Sequence, residues 1–222
     1  MPIFKLSKTS DTFPPSHLAS DTGLLAIGGD LNTNRLLNAY ANGIFPWYNP
    51  GEIIKWYCPN KRFVIFPQKI YISRSMKKLI QKNTLTTKIN ANFAEVIHNC
   101  KQSWDKKTGT WITDEMEEAY INLFNAGHAL CVSVYDGKIL VGGLYGVAIG
   151  KCFFGESMFS IVPNASKLAL IKLCQKLTED GFLFVDCQFH TKHLESMGGQ
   201  YISWEEYKHL LTINEEIAKG DL

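Results

Sequence analysis

The sequence predicts an α+β protein. A small irregular N-terminal lobe, residues 1–60, should pack on a larger domain, residues 61–222, that has a mixed sheet flanked by helices. Turn-forming and aromatic residues crowd the lobe without periodicity, whereas helical and strand patterns alternate after residue 61. Hydrophobic residues make up 45% of the 222-residue chain, which is enough for a sizeable core.

The N-terminal lobe contains one predicted helix, which runs through residues 36–40. Asn32 or Thr33 caps its start, and Gly43 stops it. The rest of the lobe should be irregular and should pack its aromatic residues on the larger domain.

The larger domain begins with a predicted strand over residues 62–66. Ser73 then caps a basic amphipathic helix over residues 74–80, and a second strand covers residues 84–89.

Two further helices are predicted from their capping residues. Asn92, with Glu95 three residues later, resembles a capping box and opens a helix that reaches about Lys101. Thr113 opens another helix, which Gly127 closes.

The pattern then changes to strands. Residues 129–135 and 138–149 flank Asp136–Gly137, a dipeptide typical of tight hairpin turns. Gly150 turns the chain again into a strand at residues 152–154.

A helix and a buried strand complete the predicted domain. Asn164 caps the helix, Gly181 ends it, and the strand covers residues 182–187. The order of two helices, meandering strands, a helix and a strand is that of an acetyltransferase-like (GNAT) fold, whose mixed sheet splays to admit an acyl donor.

Charge is strongly segregated along the chain, although the net charge is only +2. Residues 55–107 contain twelve Lys/Arg and two acidic residues, a balance of +10, which leaves −8 for the rest. Such segregation favours a polyanionic partner such as a nucleic acid, and a solvated basic face without a ligand is the alternative.

The sequence shows no membrane or secretory signal. No apolar run approaches about 18 residues and the N-terminus lacks an apolar stretch, so we expect a cytoplasmic protein. The cysteines are scattered and should be reduced, core-filling thiols. They are Cys58, Cys100, Cys131, Cys152, Cys174 and Cys187. A zinc site at Cys187, His190 and His193 would lack an evident fourth ligand.

Two tryptophans, Trp47 and Trp111, follow turn-rich segments and should lie in loops. A loop tryptophan can stack on a nucleobase, a contact worth about 1–3 kcal/mol. The alternative is that both pack between the lobes.

A pocket for a flexible apolar side chain is predicted where the sheet splays. Leu144, Phe153, Met158 and Leu170 should face one another there, although each could be plain core. Glu156 lies within an apolar run, so its carboxylate must be paired or reach a cationic ligand.

Asp186 and Gln188 end the last buried strand, and alternation along that strand predicts that both point to one face. The carboxylate could accept a proton from an attacking amine, and the amide could hydrogen-bond the nucleophile or the oxyanion. A solvent-exposed strand end is the alternative.

Several motifs are absent from the sequence. It has no phosphate-binding loop, no dinucleotide fingerprint and no coenzyme A turn of the acetyltransferase type. The acyl donor should therefore already be activated, and it should itself carry the phosphates by which the protein binds it.

Eight segments of this chain together resemble the bacterial leucyl/phenylalanyl-tRNA–protein transferases, and they cover nearly its whole length. They are GLLAIGGDL (23–31), GIFPWY (43–48), SRSMK (73–77), GTWIT (109–113), GGLYG (142–146), GESMFS (155–160), NASK (164–167) and DCQ (186–188).

The resemblance implies a reaction. Leucine or phenylalanine would pass from aminoacyl-tRNA to the α-amino group of a protein that begins with Arg or Lys, marking that protein for N-end rule degradation. The ester is already activated, so no cofactor and no metal is expected. An apolar cavity discriminates one methylene by only about 1–3 kcal/mol, so methionine should also be accepted.

The resemblance also implies roles for residues. Trp47 and Trp111 would clamp the terminal adenosine, and Leu144, Phe153, Met158 and Leu170 would line the aminoacyl pocket. The acceptor stem would lie on Arg74, Lys78 and Lys82, with Lys77 adjacent. Asp186 would orient and polarise Gln188, which would receive a proton from the amine, while Glu156 would help to fix the substrates.

Some points remain open at the level of sequence. Asp186, water or the tRNA ribose hydroxyl could be the real proton acceptor, because glutamine is a poor base. Thr191 replaces an Asn found in some family members, and the tail after Tyr207 is weakly patterned. We expect a monomer. A coenzyme A-dependent acetyltransferase and a non-enzymatic RNA-binding module are the alternative functions.

Overall fold

The computed structural model describes residues 3–105 and 109–220, so Lys106 and Lys107 of the basic segment lie outside the described residues. The described chain combines helices with a mixed sheet, as predicted, and it contains a second sheet that was not predicted. No helix within it combines the length and the apolarity that crossing a bilayer requires.

The N-terminal region contains a four-stranded sheet, so the prediction of an irregular lobe is wrong. The strands are β1 (Phe4–Leu6), β2 (Leu24–Gly28), β3 (Phe45–Pro46) and β4 (Lys55–Tyr57), in the order β1-β2-β4-β3. Each strand has only two to five residues, too few for alternation to be read. The predicted helix is confirmed as α1 (Thr33–Ala41), and Asn32 accepts a hydrogen bond from the Arg35 N–H (2.9 Å).

The second sheet has seven strands in the order β11-β5-β10-β9-β8-β7-β6. They are β5 (Arg62–Ile65), β6 (Thr86–Ile89), β7 (Ala129–Asp136), β8 (Ile139–Ile149), β9 (Cys152–Ser160), β10 (Phe184–Asp186) and β11 (Gln200–Ile202). Strands β9 and β10 pair in parallel and the other neighbours are antiparallel, which confirms a mixed sheet.

Within the described ranges, six more α-helices accompany this sheet. They are α2 (Arg74–Lys82), α3 (Phe93–Asp105), α4 (Asp114–Asn125), α5 (Ala165–Glu179), α6 (Lys192–Glu195) and α7 (Trp204–Lys219). Ser73 and Thr113 cap α2 and α4 as predicted. Asn164 precedes α5 but makes no side-chain capping bond, because it adopts a left-handed conformation (φ 69°). The tail after Tyr207, expected to be weakly patterned, belongs to the long helix α7 as far as Lys219.

Two hydrophobic clusters pack on opposite faces of the seven-stranded sheet, since alternate residues of β8 and β9 belong to different clusters. One joins Tyr145 and Phe154 to Trp56 of the N-terminal sheet, so a single core connects the two sheets. The other packs α5 and α2 against the sheet. All six cysteines are free, and all but Cys187 are buried, as predicted.

Candidate active site

A cavity of about 810 Å³ opens where the seven-stranded sheet splays. Strand β10 ends at Asp186, opposite Phe154, whereas β9 continues to Ser160. The last residues of β9 therefore lose their β10 neighbour and line the cavity.

The four apolar residues predicted for the pocket all line this cavity: Leu144, Phe153, Met158 and Leu170. They come from β8, β9 and α5. Met158 is half-buried and the other three are almost fully buried. The structure therefore brings these four side chains together along one cavity.

Both predicted tryptophans also line the cavity. Trp47 follows β3 and is 43% exposed, with its ring centroid 5.2 Å from that of Phe189. Trp111 lies in the loop before α4 and is half-buried. Trp111 packs against the core cluster that joins the two sheets, and neither ring is fully buried.

Glu156 lines the cavity from a β-bulge in β9. Opposite it, Tyr145 pairs with Ser157 and Gly146 pairs with Gly155, so Glu156 is the extra residue. Its carboxylate accepts hydrogen bonds from the Tyr40 hydroxyl (2.6 Å) and the Tyr120 hydroxyl (2.8 Å). Burial raises the pKa of Glu156 to about 7 against the opposite effect of these two bonds.

Glycine at position 146 makes the bulge sterically feasible. A Cβ atom there would lie 2.1 Å from the Phe154 carbonyl oxygen and 2.6 Å from the Phe153 ring. The two strands could not approach so closely with any larger residue.

The structure contradicts the expectation that Asp186 and Gln188 share one strand face. Strand β10 ends at Asp186, and Gln188 has a left-handed backbone (φ 55°). Gln188 lines the cavity, whereas Asp186 is fully buried and is not among the lining residues. The Asp186 carboxylate accepts hydrogen bonds from the Gln188 N–H (2.8 Å), the Tyr207 hydroxyl (2.7 Å) and Arg62.

Arg62 is a support residue that the sequence reasoning missed. Its guanidinium forms an ion pair with Asp186, donates to the Gly43 carbonyl (3.0 Å), and lies over the rings of Phe45 and Tyr207. Burial acts to lower its pKa, but the Asp186 charge outweighs this, so the pKa is above the ordinary value for arginine. An arginine inside a buried four-residue strand was the available signal.

The four predicted tRNA-binding residues lie on one helix, α2, away from the cavity. Arg74, Lys77, Lys78 and Lys82 are all exposed. Other cations of the basic segment are engaged by protein groups: Arg62 by Asp186, Lys55 by Glu52, and Lys101 by Asp114 and Glu117. The surface that could meet a polyanion is therefore smaller than the charge count of +10 indicates.

Two of the three residues considered for zinc line the cavity. Cys187 and His193 line it, whereas His190 Nε2 is 3.0 Å from a carboxylate oxygen of Glu195. Within the described part of the chain, no group of three or more His, Cys, Asp or Glu side chains could hold a metal ion.

Comparison with known sequences identifies the family. The profile for "Leucyl/phenylalanyl-tRNA protein transferase" matches residues 64–212, and that for its N-terminal domain matches residues 29–60. The chain belongs to the leucyl/phenylalanyl-tRNA–protein transferase family. Members from Syntrophus aciditrophicus (49% identical over 95% of this chain and 88% of the relative) and Nitrosomonas eutropha (50% over 91% and 88%) are similar along almost their whole length.

Comparison with solved structures concerns the fold alone. The match to the crystal structure of FemX covers 77% of the present chain and 66% of the FemX chain, with a TM-score of 0.52 and 10% sequence identity.

Proposed function

We propose that the cavity binds the aminoacyl end of a charged tRNA and that the reaction takes place in the cavity beside Gln188. The chain, as a family member, transfers leucine or phenylalanine from aminoacyl-tRNA to protein N-termini. The observation that carries the location is that one cavity brings together an apolar pocket, two accessible tryptophans, Gln188 and Glu156. The acceptors are proteins that begin with Arg or Lys, which the reaction marks for N-end rule degradation.

Two groups of lining residues suit the two parts of the donor. Trp47 and Trp111 stack on the terminal adenosine, where each contact contributes about 1–3 kcal/mol. Leu144, Phe153, Met158 and Leu170 surround the leucyl or phenylalanyl side chain. All four of these side chains are apolar, and an apolar pocket discriminates one methylene by only about 1–3 kcal/mol, so methionine is accepted as well.

Gln188 contacts the reacting ester, and Asp186 acts through it. The left-handed backbone of Gln188 costs free energy and persists only where its surroundings hold it. Asp186 supplies that hold by accepting the Gln188 N–H, and Arg62 keeps the Asp186 carboxylate in place. Asp186 is thus a positioning residue. The ester is activated in advance, so the transfer runs without cofactor or metal.

Helix α2 provides the tRNA-binding surface in this proposal. Its exposed Arg74, Lys77, Lys78 and Lys82 contact phosphates of the acceptor stem and carry no sequence information. Binding should therefore weaken as salt rises and should not depend on the anticodon.

We assign the aminoacyl transfer to a GNAT-like domain over residues 61–222, with residues 1–60 as the N-terminal lobe that presents Trp47. Similarity in fold to FemX supports this assignment. We place the reaction in the cytoplasm, where charged tRNA is made, and expect a monomer by light scattering.

A panel of charged tRNAs tests the proposal. Purified protein should transfer leucine, phenylalanine and methionine, but not valine or isoleucine, to an Arg- or Lys-initiated peptide. A matched Glu-initiated peptide should remain unmodified. Absence of product from leucyl-tRNA and phenylalanyl-tRNA would refute the proposed function.

A further inference from the structure

The carboxyl group of Glu156 and two phenol groups form an unusual arrangement. Tyr40 of α1, Tyr120 of α4 and Glu156 of β9 form a triangle of short O···O contacts. The hydroxyls of Tyr40 and Tyr120 are 2.5 Å apart, and they lie 2.6 and 2.8 Å from the two Glu156 carboxylate oxygens. Both phenols are fully buried, so water does not replace these contacts.

Counting protons shows which form of Glu156 the triangle fits. Each phenol has one proton to donate. With an ionised Glu156, two protons must serve three contacts, and one short contact is left without a hydrogen bond. With a protonated Glu156, each group donates once and accepts once, and the ring is complete. The ring can therefore take up one proton, and while Glu156 is ionised both phenols donate to it and favour the carboxylate.

Glu156 of the triangle and Gln188 line the same cavity. Parallel pairing of β9 with β10 ends at Phe154 opposite Asp186. Two residues further along each chain are Glu156 and Gln188, and both line the cavity. One ester group bound in this cavity would therefore meet both side chains.

The charged and titratable groups that face Glu156 come from several elements. They are Tyr40 and Tyr120, Tyr145 on β8, and the Arg62–Asp186 pair on β5 and β10. Burial is the main cause that raises the pKa of Glu156 to about 7, and the Asp186 charge adds to it. An α-amino group has an ordinary pKa of about 7.7–8.0, so a proton can pass between the two near neutral pH.

We propose that Glu156, positioned by Tyr40 and Tyr120, is the proton acceptor for the attacking α-amino group. This inference rests on the proposed aminoacyl transfer. The nitrogen forms a bond to the ester carbonyl carbon and loses one proton to Glu156, which completes the ring. The bond from that carbon to the ribose oxygen then breaks, and the ribose oxygen takes the proton back from Glu156. Asp186 has no place in this relay because it does not line the cavity.

Single-turnover transfer of phenylalanine from Phe-tRNA to an Arg-initiated peptide tests the proposal as a function of pH. Glu156→Gln should lower the rate at pH 7 by about 100-fold or more, the usual worth of a general base. Tyr40→Phe and Tyr120→Phe each remove a donor that favours the carboxylate, so the acidic limb of their rate profile should move to higher pH. A purely structural role for the phenols would lower the rate without moving that limb.

Tyr48→Phe is the matched control, because this phenol is also buried but only approaches Thr113, at 3.5 Å. Its pH profile should equal that of the wild type. A wild-type protein that forms no product would refute the proposed function itself. A wild-type protein that forms product while Glu156→Gln retains its rate within a few-fold would overturn only the role of Glu156. Unmoved limbs in both tyrosine variants would overturn it as well.

Discussion

Replacement of Asp186 by Asn tests whether this carboxylate supports the site or takes part in the chemistry. The change keeps the shape of the side chain and removes its charge. Arg62, fully buried beneath the cavity, then loses the partner of its ion pair, and the Tyr207 hydroxyl and the Gln188 N–H lose a charged acceptor. We expect a loss of stability rather than a specific loss of catalysis.

The magnitude follows from the cost of leaving a buried charge unpaired, about 3–5 kcal/mol. In a chain of this size, 1 kcal/mol lowers the melting temperature by about 2–4 °C, so Asp186→Asn should lower it by roughly 6–20 °C. Urea unfolding and thermal melting both measure this change.

Asp114→Asn is the matched control, since it also removes the acid from an ion pair, that with Lys101. The Asp114 side chain is 99% exposed, and exposed pairs contribute little, so this variant should melt close to the wild type. If Asp186→Asn melts like the wild type and yet loses transfer activity at low temperature, the carboxylate is a chemical participant and our assignment is wrong.

Other predictions concern the bulge, the carboxylate it presents and the basic helix. Gly146→Ala should unfold the protein or lower its melting temperature strongly, because the added Cβ would lie 2.1 Å from a backbone oxygen atom. Gly155→Ala should fold, because the nearest atom to its added Cβ would be 3.5 Å away. The pKa of Glu156 is raised from its ordinary value to about 7, so between about pH 4.5 and 7 the native state binds one more proton than the unfolded state. The free energy of unfolding should therefore fall as the pH rises through that window. Urea titrations of Glu156→Gln should lack this fall, which amounts to roughly 3 kcal/mol, and an unchanged slope would contradict it. Lys78→Glu should weaken tRNA binding in filter assays and reduce its salt dependence, whereas Lys208→Glu on the exposed face of α7 should not.

Local signals made much of this fold predictable. Ser73 and Thr113 bond to the backbone three residues later, and such a contact needs no information from the rest of the chain. The Asp136–Gly137 turn and the apolar residues of α5 are local in the same way. The pocket residues were predicted from the order of strands and helices and from the family resemblance, and all four line one cavity.

Long-range contacts explain what the sequence could not predict. Arg62 and Asp186 are 124 residues apart, and the local sequence around either residue does not indicate its partner. The short strands of the N-terminal sheet are set by pairing between distant segments, such as β1 with β2. The Glu156 bulge depends on Gly146 in the neighbouring strand, so an alternating pattern read along β9 alone misdirects the side chain.

Binding of a non-hydrolysable phenylalanyl-adenosine amide tests the central claim most directly, that the cavity at the splayed sheet holds the aminoacyl end. Calorimetry should compare the wild type with Met158→Trp, which fills the cavity from a half-buried position. Excluding a phenylalanyl side chain removes about 1.5–3 kcal/mol of binding free energy from apolar burial. The affinity should therefore fall at least about tenfold, while the melting temperature changes little. Equal affinity in the two proteins would show that the aminoacyl end binds elsewhere.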